Sequence, residues 1–264
     1  MAGRTIASNA TKPVAPYIGG KRRLAERLIA RIEAVPHELY AEPFLGMGGV
    51  FLRRRRAAKS EVVNDISRDV ATFFRILQRH YVAFMEMLKW QLTTRSDFER
   101  LVATDPSTLT DLERAARFLY LQRTAYGGKV VGRTFGVSGG TARFNVTRLA
   151  PMLEEVHERL AGVVIECLPF HDFITRYDAA GALFYLDPPY WGSERDYGNA
   201  FRRDEFASLA ELLASIKGKF ILSLNDVPQV RKLFARFELE PVATAYSIAD
   251  GAQVPARELI ISGP

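Results

Sequence analysis

The residues best suited to chemistry are Asp187-Pro188-Pro189-Tyr190, which follow the apolar run Leu183-Phe184-Tyr185-Leu186. Four large apolar or aromatic residues after Gly181 predict a short buried strand, and two consecutive prolines predict that it stops at Asp187. Each proline removes a backbone donor and fixes φ, so the chain leaves the strand as a stiff loop. That loop holds the Asp187 carboxylate, the Pro188 carbonyl and the Tyr190 ring together. Two acceptors beside an aromatic plate suit a planar substrate bearing an amino group, whose N–H bonds they accept and whose face the ring stacks on. The plainer reading is an acid that ends a strand before a proline turn.

Such a corner needs a sheet behind it, and the rest of the chain predicts one. Leu39-Tyr40-Ala41-Glu42-Pro43-Phe44-Leu45-Gly46-Met47-Gly48-Gly49 reads as strand, glycine loop and helix start, the unit from which nucleotide-binding α/β sheets are built. A dinucleotide fingerprint needs a third glycine where Phe51 stands, which argues against NAD. Glu61 to Ile66 predicts a second strand ending in Asp65, about twenty residues past the loop, where an acid commonly holds ribose hydroxyls. Further strands are expected at 163–168, 220–225 and 258–262, with a helix over 204–216 and another after 225. Between about 68 and 122 the apolar spacing is helical, predicting a helical insert. Arg53 to Arg56 reads as a solvated cationic cap on the helix after the glycine loop.

Bulk properties narrow the class. The 264 residues can bury a real core, and 48% hydrophobic with 25% charged residues is ordinary for a globular protein. No apolar run is long enough to span a membrane and no signal pattern opens the chain, so a cytoplasmic location is expected. One cysteine and four scattered histidines give no disulfide and no metal-ligand spacing, so no metal is expected. The net charge of +6 suits a polyanionic partner. Arg123 to Lys129 and the stretch ending Arg143-Phe144-Asn145 are basic, aromatic and glycine-rich, as for a loop laid on nucleic acid. There, Arg123, Tyr126, Lys129, Arg143 and Asn145 are the candidate contacts.

These motifs, in this order, resemble the Dam-like (D12 class, alpha group) DNA adenine N6-methyltransferases. The resemblance implies a Rossmann-like class I α/β sheet that binds S-adenosyl-L-methionine, with a mainly helical target-recognition insert. It places the catalytic domain at 15–67 and 157–264 and the insert at 68–156, with a monomer expected to act on double-stranded DNA. By it, Asp187, Pro188 and Tyr190 are catalytic, with Asp187 also beside the cofactor. The aromatic–Gly-Gly–Lys stretch gives Tyr17 and Lys21 as cofactor contacts, and Lys21 could equally reach a DNA phosphate. Phe44, Gly46 and Gly48 form the loop around the methionine part, Asp65 binds the ribose, and Asp172 and Phe173 are candidates for the adenine moiety. N4-cytosine methylation, and less so RNA methylation, are the alternatives. Gly127 and Thr147 depart from the pattern of members that methylate GATC, which leaves the target sequence open. A restriction partner, a phage origin and a stand-alone role are all compatible with these motifs.

Overall fold

The computed structural model describes residues 6–21, 23–136, 142–198, 201–247 and 253–263. Along the chain, β1 (Ile6–Ala7) and α1 (Ala25–Ala34) precede β2 (Leu39–Glu42), β3 (Arg56–Ala57) and β4 (Ser60–Asn64). Five helices follow, α2 (Arg68–Arg79), α3 (Tyr81–Leu88), α4 (Arg95–Ala103), α5 (Asp111–Thr124) and α6 (Val146–Arg159). Then strands and helices alternate: β5 (Val164–Glu166), α7 (Phe170–Tyr177), β6 (Ala182–Leu186), α8 (Glu205–Leu213), β7 (Lys219–Asn225) and α9 (Pro228–Leu233). Two long strands close the chain, β8 (Glu238–Ser247) and β9 (Gln253–Ser262).

Seven of these strands form one sheet in the order β5-β4-β2-β6-β7-β9-β8, and β1 pairs only with β3. The first five are parallel and β9 runs antiparallel to both neighbours. This is the doubly wound arrangement, and its strand order reverses between β2 and β6. A crevice opens at such a reversal, outside the carboxyl ends of the two strands. Asp187 leaves β6 at that point and the glycine loop leaves β2 beside it. The sequence did not announce β8, or the antiparallel end of the sheet. β8 is the outermost strand and carries Pro241, a residue that edge strands tolerate but that weakens a strand pattern.

All five residues of β6 are buried, as expected for a central parallel strand covered on both faces. Alternation sends Leu183 and Tyr185 into one apolar cluster and Ala182, Phe184 and Leu186 into another. The first cluster also contains Phe73, Phe74 and Phe84 of α2 and α3 and Phe118 of α5. The helical segment therefore shares its core with one face of the sheet. A pair of acceptor contacts reinforces this: the Gln78 side chain donates to the carbonyls of Leu160 and Val163 at 2.7 and 2.8 Å.

The arginine run differs from expectation. The glycine loop enters turns and a short 3-10 segment, Phe51–Arg53, rather than an α-helix. Arg54 is 1% exposed, so it is no solvated cap. Its guanidinium donates to Glu61 at 2.6 Å and lies 3.7 Å over the Tyr40 ring, while Arg159 donates to the other Glu61 oxygen at 2.6 Å. A single carboxylate thus bridges two buried cations that come from positions far apart in the chain. Glu61→Ala is expected to destabilise the protein by about 3–5 kcal/mol, because it leaves both charges buried without their counter-ion. Urea denaturation measures this, with Lys59→Ala on the exposed surface as a control expected to change stability by no more than about 0.5 kcal/mol.

Candidate active site

At the carboxyl edge of β2, β4 and β6 lies a cavity of about 690 Å³. Its wall includes Tyr17, Lys21, Glu42, Phe44, Gly46, Asp65 and Asp187. Residues from four separate stretches of sequence therefore face one space.

Asp187 Oδ1 accepts two donors, Lys21 Nζ at 2.6 Å and Ser223 Oγ at 3.1 Å. Ser223, on β7, also stands 3.1 Å from the Tyr185 hydroxyl. Lys21 is 4% exposed, and its ammonium lies 4.2 Å from the centroid of the Tyr190 ring and donates to the Gly19 carbonyl at 3.3 Å. The pairing explains a cation placed just before α1, where the helix dipole disfavours it. Pro188 is buried behind the cavity wall, Pro189 faces the cavity, and Tyr190 packs its ring against the second apolar cluster. Beyond the prolines the loop is fixed by Asn225, whose side chain accepts from the Trp191 N–H at 2.9 Å and donates to the Trp191 carbonyl at 3.0 Å.

A second carboxylate sits beneath this corner. Glu42 is 2% exposed and accepts a 2.6 Å hydrogen bond from the Tyr40 hydroxyl. Burial pushes its pKa up to about 8, with the negative charge of Asp187 adding to the effect and the Tyr40 bond opposing it. Asp187 is also raised by burial, but Lys21 pulls it back down by charge and hydrogen bond, and the buried Glu258 of β9 adds to the rise. Glu42 was overlooked in the sequence although its signature matches that of Asp187: an acid that ends a buried strand and precedes a proline.

Asp65 closes the other end of the cavity. Its two oxygens accept the backbone N–H groups of Gly46 and Ser67, each at 2.8 Å. Burial raises its pKa to about 6 against those two donors. Gly46 has φ +51°, and a Cβ there would come within 3.1 Å of the Tyr17 ring, so only glycine lets the loop and ring close together. Phe44 stacks near Phe170 and Phe201, at 5.6 and 5.8 Å between centroids. Gly48 turns away and packs over Leu52. Asp172 is exposed and Phe173 fully buried in the second cluster, and neither reaches the cavity. Ile66, 41% exposed and on the cavity wall beside Asp65, is the apolar residue that sequence reasoning missed there. Tyr197 also lines the cavity, and its hydroxyl donates to the Ile18 carbonyl at 3.0 Å across the rim.

The basic segment is partly spent on structure. Arg123 donates to the Arg143 carbonyl at 3.1 and 2.9 Å and to the Val14 carbonyl at 3.2 Å. Arg143 in turn reaches the Ala125 carbonyl at 3.4 Å, and Asn145 caps α6 by accepting from the Arg148 N–H. These three are the expected DNA contacts, and their polar groups also bond to backbone of this segment and, for Arg123, of Val14. Tyr126 and Lys129 are exposed, in a turn joined to the returning strand by the Ala125–Phe135 bridge. Residues 137–141 of the same segment lie outside the described residues.

The model of the D12 class N6 adenine-specific DNA methyltransferases matches residues 17–248. The chain belongs to that family. It is 22% identical over 229 residues to the type II methyltransferase M.CviBI of Paramecium bursaria Chlorella virus NC1A, covering 84% of this chain and 86% of that protein. It is 25% identical over 267 residues to the DNA adenine methylase of Escherichia coli K12, covering 92% of each. Among solved structures, a putative methyltransferase yhhF from Escherichia coli aligns over 99% of this chain and all of the other, at 12% identity and a TM-score of 0.41. The methyltransferase is thus adenine-specific and acts on DNA, which sets aside cytosine and RNA as substrates. Among the described residues no helix is long and apolar enough to cross a membrane, and no group of three or more His, Cys, Asp or Glu could hold a metal ion.

Glu42 gives this D12 methyltransferase a testable pH dependence. A carboxyl whose folded pKa is raised contributes stability that is fully present below its unfolded value near 4.5 and is lost as pH rises through about 8. Glu42→Gln removes that loss, so the variant is expected to be more stable than the parent at pH 9, by on the order of a few kcal/mol, with the gap closing toward pH 5. Thermal melts across that range measure it.

Proposed function

We propose that the methyl donor is S-adenosyl-L-methionine, held in the 690 Å³ cavity, and that the target adenine is flipped out of double-stranded DNA into the corner made by Asp187, Pro188 and Tyr190. The observation that carries this reading is the presence of Asp65 and Asp187 on the wall of one cavity, at the ends of β4 and β6 on either side of β2. The residues fit the donor. Asp65 presents a carboxylate to its ribose hydroxyls, the glycine-lined cradle between Gly46 and Tyr17 leaves room for backbone to approach it, and Phe44 and Ile66 supply apolar contact. The bound donor supplies a methyl group on a sulfonium, which is a good leaving group.

The protein's own task is to make a poor nucleophile competent. The lone pair of adenine's amino group is delocalised into the ring. Hydrogen bonds from its two N–H groups to the Asp187 carboxylate and the Pro188 carbonyl localise that lone pair and aim it, while Tyr190 fixes the plane of the base. Asp187 serves as acceptor and orienter. The proline pair matters because it keeps the carboxylate and the carbonyl in a fixed relation. Tyr126 and Lys129 lie on the exposed turn and are the residues we assign to DNA contact, as a monomer working where the cell's DNA is, in the cytoplasm.

Incubation with labelled S-adenosylmethionine and unmethylated genomic DNA, followed by digestion to nucleosides, is expected to give N6-methyladenine. Asp187→Ala is expected to lower the transfer rate by at least about 10³-fold, as for loss of a principal transition-state contact, with DNA affinity largely unchanged in a gel-shift titration. Equal loss of both would argue against a local catalytic role. Asp65→Ala is expected to weaken cofactor binding by about 10-fold or more, and an unchanged affinity in calorimetry would remove Asp65 from the site.

A further inference from the structure

The acceptor corner already holds a guest. Lys21 Nζ is 2.6 Å from Asp187 Oδ1 and 4.2 Å from the centroid of Tyr190. Those two contacts, a hydrogen bond to the carboxylate and a seat over the ring, are the ones assigned above to the flipped adenine. Tyr190 packs against the second apolar cluster, so its ring is not open on all sides. A base cannot stack where an ammonium already stands at that distance.

We infer that Lys21 is a place-holder for the target base: its ammonium occupies the seat of the adenine amino group while the corner is empty and leaves when the base arrives. This deepens the reading of the corner as the adenine site and rests on it. The need for such a residue follows from the groups that face Asp187. Glu42 from β2, Tyr185 from β6 and Glu258 from β9 are acidic or weakly acidic, Ser223 from β7 is neutral, and Lys21 is the cation. Without a cation, a buried carboxylate among them would take up a proton and lose half of its capacity as an acceptor. Lys21 keeps Asp187 ionised and oriented until the substrate replaces it. Lys21 is therefore a positioning residue. The alternative arrangement keeps the ammonium on Oδ1 throughout and gives the base only Oδ2, which accepts from no described residue.

The two arrangements separate in pH profiles of Lys21→Met, a substitution close in length and without charge. The profile of kcat/KM for DNA reports groups in the free enzyme, whereas the single-turnover transfer rate of the preformed complex reports the bound state. A place-holder acts only in the free enzyme. The acid limb of kcat/KM is expected to move up by about one pH unit or more in Lys21→Met, while the acid limb of the single-turnover rate keeps its midpoint to within about 0.3. Movement of both limbs together, or of neither, overturns the inference. A second readout needs no methyl transfer. With duplex carrying 2-aminopurine at the target position and protein at saturation, emission from the extrahelical base is expected to be about twofold or more higher for Lys21→Met than for the parent, since its competitor is gone. Equal or lower emission also overturns the inference. If Lys21→Met does not fold, Lys21→Gln is carried through the same measurements. Retained transfer in Asp187→Ala would instead refute the corner as the adenine site, independently of Lys21.

Discussion

Charge balance at the carboxyl edge of the sheet is the constraint on which the site depends. A parallel sheet gathers the ends of its strands in one place, and here three of the residues so gathered, Glu42, Asp65 and Asp187, are acids facing one cavity. Glu258 adds a fourth carboxyl from the antiparallel side. The three on the cavity wall cannot all stay ionised in partly buried surroundings without compensation. The protein treats each differently. Two backbone N–H groups hold Asp65, a tyrosine hydroxyl donates to Glu42 against the burial that favours its protonated form, and an ammonium holds Asp187. Position on the sheet is shared, so chemical role is decided by the nearest donor.

The opposite end of the sheet solves a related problem with different means. Arg54 and Arg159 are buried there around Glu61, each also stacked on an aromatic ring, Tyr40 and Phe51 respectively. Guanidinium groups tolerate this because their charge is spread over a plane that can stack on a ring and bond to a carboxylate at once. Lys21 has a compact charge and a flexible stem, which suits a contact that must be broken as well as made.

Much of this was legible from the sequence wherever the signal was local. β2, β4 and β6 each end at an acid followed within a few residues by proline, glycine or serine, and the helical spacing between 68 and 122 became α2 to α5. The glycine loop, Asp65 and Asp187 fell in one cavity for the same reason, since each marks the end of a strand. What the sequence hid was set by distant partners. Nothing near Arg54 indicates that Arg159 and Glu61 will bury it, and nothing near Lys21 indicates Asp187, 166 positions on. β8 was missed because an edge strand is selected by pairing with β9 more than by its own pattern. The backbone bonds made by Arg123, Arg143 and Asn145 were not legible either, because the groups that hold a loop's own backbone are the same ones that read base edges.

One buried amide has a further consequence. Gln122, at the end of α5, is fully buried and donates to the Pro16 carbonyl at 2.8 Å and to the Gly128 carbonyl at 2.6 Å. Pro16 precedes Tyr17 on the cavity wall, and Gly128 ends the exposed turn that carries Tyr126. A segment of the cavity wall and the exposed turn that carries Tyr126 therefore hang from the same side chain. Any ligand that shifts one of them works against a bond geometry shared with the other. Linkage makes such a cost reciprocal: whatever occupancy of the cavity does to affinity at the turn, occupancy of the turn does to affinity in the cavity, by the same factor.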